Sequence, residues 1–151
     1  MKTIKGDLLN YGKNGAFDVI IHGCNCQNTM GAGIAKSIKR AFPDAYKADQ
    51  ATRKGDRKKL GSYSSASVEL EGHTLTVVNA YTQFHYGGSG VRADYNAIRK
   101  VFALIKQDFS GARIGYPLIG AGLARGDWSL ISQIIEEELE GEDHTLVRFV
   151  P

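Results

Sequence analysis

The sequence predicts an α/β protein, a three-layer α/β/α sandwich with a mixed central sheet. Three observations carry this. Apolar patterning switches between short β-branched runs and stripes of period three to four, in the order β, α, ββ, α, β, α, β. The two adjacent strands are joined by a tight glycine-containing turn, which makes that pair antiparallel. Two glycine-rich stretches, Met30-Gly31-Ala32-Gly33 and Gly120-Ala121-Gly122, each lie between an expected strand and an expected helix.

Phe17-Asp18-Val19-Ile20-Ile21 is a β-branched run bounded by polar and glycine residues, the mark of a buried strand. From Gly33, the positions Ile34, Ile38, Ala41 and Phe42 form a helical stripe closed by Pro43. Residues 61–70 and 74–80 read as two strands around the turn Glu71-Gly72-His73. A second helix is expected over residues 91–108, where Tyr95, Ile98, Phe102, Ile105 and Phe109 share a face. Residues 112–118 read as a short strand. From Asp127 a third helix buries Leu130, Ile131, Ile134, Ile135 and Leu139 and turns Glu136, Glu137 and Glu140 outward. Residues 145–150 form the last strand. Ligands of such folds sit outside the carboxyl ends of the strands, and both glycine loops are expected there.

A chain of 151 residues suits one domain, residues 1–151, and its 42% apolar and 23% charged residues are those of an ordinary folded protein. No apolar run approaches the roughly 20 residues of a membrane span. Met1-Lys2-Thr3-Ile4-Lys5 leads into Gly6-Asp7 without the apolar core of a signal peptide. Cys24 and Cys26 are too close in sequence to build a disulfide framework. A cytoplasmic protein with no membrane partner is expected. The net charge of +3 is too small to imply nucleic-acid binding. Arg53, Lys54, Arg57, Lys58 and Lys59 are clustered, and either a solvated surface loop or a contact to RNA, another phosphate-bearing polymer or an acidic partner would account for them.

Glycine lets backbone approach a ligand, and a helix N-terminus offers unpaired N–H groups and a positive dipole end to an anion. Two such loops fit a diphosphate or sugar phosphate gripped from both sides; tight turns are the plainer reading of either loop alone. Before the first loop, His22-Gly23-Cys24-Asn25-Cys26-Gln27-Asn28 carries amides able to hydrogen-bond ribose hydroxyls.

These residues resemble the macro domain, a family that binds ADP-ribose, and the likeness runs along the whole chain. Gly6-Asp7-Leu8 resembles the family's Gly-Asp-Ile/Leu motif, which implies Asp7 as the reader of the adenine amino group with Leu8 beside it. Asn25 matches the asparagine facing the distal ribose. Met30, Gly31, Ala32, Gly33 and Ile34 match the first glycine loop, and Pro117, Ile119, Gly120, Ala121, Gly122 and Leu123 the second, diphosphate-binding one. The resemblance implies a small-molecule partner, ADP-ribose or its 1''-phosphate, an ADP-ribosylated protein as a further partner, and no cofactor.

Departures bear on activity. Where many macro domains read Asn-Ala-Ala-Asn, this chain has His22-Gly23-Cys24-Asn25, and Met30-Gly31-Ala32-Gly33 replaces a run of glycines. This is more similar to the branch holding ADP-ribose 1''-phosphate phosphatases and lysine-dependent ADP-ribosyl-glutamate hydrolases. Gln83 stands where the latter carry their lysine, and Ala124 where they carry an aspartate, which speaks against the lysine mechanism.

The resemblance therefore implies a hydrolase that removes the phosphate of ADP-ribose 1''-phosphate, with Asn25 orienting the distal ribose and Asp127 or His22 activating water. A reader without chemistry, and an enzyme removing ADP-ribose from proteins, are the alternatives. Asp127 is also an apt N-cap for the helix from Trp128, a role compatible with the first. His22 reads more simply as a satisfied core histidine; His85 sits on a loop expected to reach the ligand's distal end, where Phe84 or Tyr86 would stack on a ribose or close the cleft, or else are ordinary loop aromatics. The spacing His22-x-Cys24-x-Cys26 raises an open zinc site; a strand broken by Gly23 and the lack of a fourth ligand speak against it, and no metal is expected.

Overall fold

The computed structural model describes residues 1–88 and 90–151. Six strands form one sheet: β1 (Lys2–Gly6), β2 (Val19–Cys24), β3 (Tyr63–Leu70), β4 (His73–Tyr81), β5 (Arg113–Tyr116) and β6 (Asp143–Phe149). Their order is β1-β6-β5-β2-β4-β3, with β3 and β4 antiparallel and every other neighbour parallel. The mixed sheet and its antiparallel pair agree with the expected fold class.

Strand periodicity divides the core. Val19 and Ile21 of β2 join Val78, Phe102 and Ile131 on one face, while Ile20 joins Leu8, Ile38 and Val77 on the other. Helices α4 (Tyr95–Phe109) and α5 (Trp128–Glu138) cover the first face. The opposite face carries α1 (Leu8–Lys13), α2 (Gly33–Ala41) and α3 (Pro43–Gln50).

Three elements were not expected from the sequence. Strand β1 is an edge strand whose residues Lys2 to Lys5 are exposed, so no buried run announces it. Helix α1 is a short turn of helix held by Asp7, whose Oδ1 accepts from the amides of Leu9 at 2.9 Å and Asn10 at 3.3 Å. Helix α3 begins at the residue read as a stop: Pro43 lies in its first turn, where a missing N–H costs nothing. Helix α4 starts four residues later than expected, at the Asp94 cap, whose Oδ1 accepts from Ala97 N at 2.9 Å. Leu130, expected in the core, is exposed. Among the described residues no helix is long and apolar enough to cross a membrane.

Candidate functional site

The carboxyl ends of β1, β2, β5 and β6 open into a cleft of about 870 Å³. A smaller depression of about 360 Å³ lies at the far end of β1 and β6, against the turn at residues 141–144, remote from both glycine loops.

Along the cleft, Asp7, Leu8 and Phe149 form one end. Phe149 pairs with Gly6 across the two outer strands, and its ring is 70% exposed. The first glycine loop supplies Gly31, Ala32, Gly33 and Ile34 to the cleft, and the second supplies Gly120, Gly122, Leu123 and Ala124, with Pro117 and Ile119 behind it. The loops meet across the opening: a Cβ on Gly33, whose φ is +59°, would stand 3.3 Å from Leu123 Cδ1. Asn25, Thr29, Gln83 and Tyr86 form the other end.

The start of α2 is open to this space. Its N-cap is Ala32, which has no side chain able to accept a hydrogen bond, so the first amides of the helix face the cleft without partners among the described residues. Helices α1, α4 and α5 are each capped by an aspartate, Asp7, Asp94 and Asp127. The second loop is built differently. Gly126 N donates to Gly120 O at 2.6 Å and closes residues 120–126 into a ring, and α5 starts only at Trp128. Within the ring the amides of Gly122, Leu123 and Ala124 make no hydrogen bond among the described residues. The expectation that both glycine loops run into a helix therefore holds for the first and not for the second.

Asn25 is held by its own loop. Its Oδ1 accepts from Gln27 N at 2.8 Å, and its Nδ2 donates to Thr29 Oγ1 at 2.8 Å. One carbonyl lone pair stays available for a ligand hydroxyl.

Two of the expected ligand residues do not line the cleft. Met30 is buried in the core beneath α2, and Ala121 packs against the core under α5. His22, read as a possible base, is fully buried on the face of β2 turned to α3. Asn79 Nδ2 donates to Ala45 O at 2.9 Å and to Ser64 Oγ at 3.1 Å, which leaves its Oδ1 to accept from His22 Nε2–H at 2.7 Å. Burial lowers the His22 pKa to about 4, against the pull of the Asn79 bond, so the ring is neutral at pH 7. Asp127 is exposed and lies outside the cleft lining; its Oδ1 accepts from Ser129 N at 3.0 Å and its amide donates to Tyr95 Oη at 3.0 Å.

The zinc reading meets a different geometry from the one expected. Strand β2 continues through Gly23 to Cys24, and Cys24 Sγ lies 3.5 Å from His22 Nε2. Burial raises the Cys24 thiol well above its ordinary range and Cys26 to about 11, so both stay protonated and poor as ligands. Among the described residues no three His, Cys, Asp or Glu side chains are grouped to hold a metal. Of the clustered cations, Lys59 is buried, at 7% exposure, and Arg57 covers the Phe84 ring at 4.0 Å. Phe84 packs on Cys24, Cys26 and Tyr81 and does not reach the cleft.

Sequence reasoning missed Phe149, Val147, Thr29 and Ser37, all of which line the cleft. Only Phe149 carried a signal, an aromatic at the end of the last strand. Asp7 is the one charged residue among the described residues that line the space.

No family model matches the chain. It is 36% identical over 144 residues to an uncharacterised 17.5 kDa protein from the tk-vs intergenic region of Enterobacteria phage T4, covering 90% of this chain and 88% of that one. It is 46% identical over 47 residues to the ADP-ribose 1''-phosphate phosphatase of Meyerozyma guilliermondii, 31% of this chain and 26% of the phosphatase. Among solved structures it superposes on the macrodomain of Mycobacterium tuberculosis DarG with a TM-score of 0.77 at 19% identity, covering 99% of this chain and 97% of that one. Thermosipho africanus DarTG in complex with ADP-ribose matches with a TM-score of 0.71 at 18% identity, over 99% of this chain and 42% of that one. The sheet and its strand order lead to one assignment: the chain has the macrodomain fold, and it is related over most of its length to the phage T4 protein.

Proposed function

We propose that the cleft binds ADP-ribose, with adenine at Asp7 and Phe149, the diphosphate between the two glycine loops, and the distal ribose against Asn25. The uncapped start of α2 carries this reading. A helix end with unpaired amides carries the equivalent of about half a positive charge, and an anion is its natural partner. Opposite it, three unpaired amides of the second loop provide donors for the other side of the same group. Phe149 offers an exposed ring for stacking on a base, and Asp7 Oδ2 remains to accept from an exocyclic amine. The cleft volume suits a ligand of this size. The DarTG complex supports the reading by analogy of fold.

The finer reading is hydrolysis of ADP-ribose 1''-phosphate, supported by the partial likeness to the fungal phosphatase. His22 is buried away from the cleft and Asp127 lies outside its lining, so of the residues expected to take part in the reaction only Asn25 faces the cleft, where it would orient the ribose. A specific observation favours the second reading, binding without chemistry: the distal end has no lysine, histidine or carboxylate among its described lining residues. Calorimetric titration with ADP-ribose, followed by phosphate release from ADP-ribose 1''-phosphate, tests both. Saturable binding with turnover supports the hydrolase, and binding with no turnover the reader. No binding of ADP-ribose at millimolar concentration overturns the whole reading.

A further inference from the structure

We propose that Lys59 is a positioning residue for the distal end of the cleft, a buried ammonium that holds the Asn25–Thr29 loop in the shape that aims Asn25. Its Nζ donates to Asn28 Oδ1 at 2.6 Å and to Cys26 O at 3.4 Å, and lies 4.7 Å from the centre of the Tyr81 ring. Asn28 needs such a hold. Its φ is +58°, a left-handed conformation that costs a residue with a Cβ. Its side chain is gripped from two sides, by Lys59 and by Nδ2 donating to Thr52 O at 2.9 Å. Gly55 N donates to Cys26 O at 2.7 Å, and Cys26 N to Phe84 O at 3.0 Å, so residues 52–59 and 84 form a brace behind the loop.

A buried relay backs the ammonium. His22 Nε2–H donates to Asn79 Oδ1, Asn79 Nδ2 to Ser64 Oγ, Ser64 Oγ–H to Tyr81 Oη at 2.7 Å, and Tyr81 Oη–H to Asp49 Oδ1 at 2.8 Å. All four donors point the same way and end on a carboxylate that is 1% exposed and whose Oδ2 has no partner among the described residues. Removing the cation would leave Asn28 Oδ1 with only a long 3.4 Å bond from Thr52 Oγ1, and the Cys26 carbonyl with Gly55 N alone, and a loop that must find new partners moves. The cluster of basic residues at 53–59 is thus in part the scaffold of the cleft: Lys59 is inside, Arg57 lies over Phe84 with the rest of its side chain exposed, and Arg53, Lys54 and Lys58 are solvated.

That Asn25 faces a distal ribose rests on the ADP-ribose reading; the hold on the loop does not. Lys59→Met keeps the length and removes the charge, and Asn28→Gly removes the acceptor while tolerating the positive φ. Each is expected to speed hydrogen exchange at the amides of Cys26, Gln27 and Gly55 by about tenfold or more, with Ile20 and Val78 unchanged. Each is also expected to weaken ADP-ribose about tenfold while leaving ADP, which lacks the distal ribose, within about twofold. Unchanged exchange at these amides overturns the proposal whatever the ligand data say. Equal loss of ADP and ADP-ribose overturns the positioning role. A wild-type chain that ignores ADP-ribose overturns the ligand reading alone, and the exchange arm still decides the role of Lys59.

Discussion

The two glycine-rich loops look alike in sequence and use their backbone differently. At the first, the loop ends where α2 begins, and an alanine at the N-cap leaves the helix end bare to the cleft. At the second, Gly126 closes the loop on Gly120 before α5 starts, and Asp127 satisfies that helix with its own carboxylate. The first loop is therefore a dipole pointed into the cleft, and the second a ring of amides at its edge. A glycine after a strand indicates close backbone approach; whether the following helix takes part depends on one residue, the cap.

The sharpest way to break this comparison is to make the first loop resemble the aspartate-capped starts of α1, α4 and α5. Ala32 has extended backbone suited to a capping side chain. Ala32→Asp is expected to stabilise the fold by about 1 kcal/mol through the new cap and to weaken ADP-ribose about a hundredfold, because a carboxylate then occupies the anion's place. Thermal melting and calorimetry read the two opposite signs. A variant that binds normally removes the dipole from the account.

A second expectation concerns the footing of the first loop. His22 has a folded pKa of about 4 against an ordinary 6.5, so below pH 6.5 the unfolded chain takes up a proton that the folded chain refuses. Its contribution is fully present above about pH 6.5 and falls by about 3 kcal/mol as pH drops towards 4. His144, buried and also lowered by its burial, adds in the same direction. His22→Gln, which can still donate to Asn79, is expected to flatten the pH dependence of urea midpoints in that window. An unaltered slope would move the cause elsewhere.

The second loop is tested through its closure. A Cβ on Gly126 would collide with Gly120 O and come within 2.8 Å of Ile131 Cδ1. Gly126→Ala is expected to cost about 2 kcal/mol of stability and to weaken ADP-ribose with it, whereas Gly31→Ala, with nothing within 4 Å, leaves the melting temperature alone. The smallest effect belongs to Asp127→Ala: about 1 kcal/mol of stability from the lost cap, with ADP-ribose affinity unchanged. If phosphate release also disappears in that variant, Asp127 has a second role; if release persists, the cap is its whole role.

Much of this was legible in the sequence because local pattern dictates it. The apolar stripe of α2 and the β-branched run of β2 force their elements, and glycines after strands mark the cleft. What escaped depended on contacts distant in the chain. Strand β1 exists only because β6, more than a hundred residues away, offers it an edge. Pro43 is compatible with a stop and with a start, and only the packing of Ala45 under the sheet selects the start. Lys59 reads as one more surface cation until Asn28, 31 residues earlier, comes to meet it. His22 stands at a strand end near the site, but alternation along β2 puts it on the face of Ile20, covered by helices that lie later in the chain, and there Asn79 holds its ring. Asp7, Asn25 and both glycine loops were read as cleft residues because the motif and the fold position coincide there.

A cleft whose described lining holds one carboxylate and no basic side chain must greet an anion with peptide groups. Main-chain donors carry at most the partial charge of a helix end, so a grip of this kind would depend less steeply on ionic strength than one made by lysines and arginines. It also tolerates drift. Side chains around the loops can change over evolutionary time so long as the turns survive, because the recognition is written in the path of the backbone and the identities of its neighbours matter less than the curve they follow.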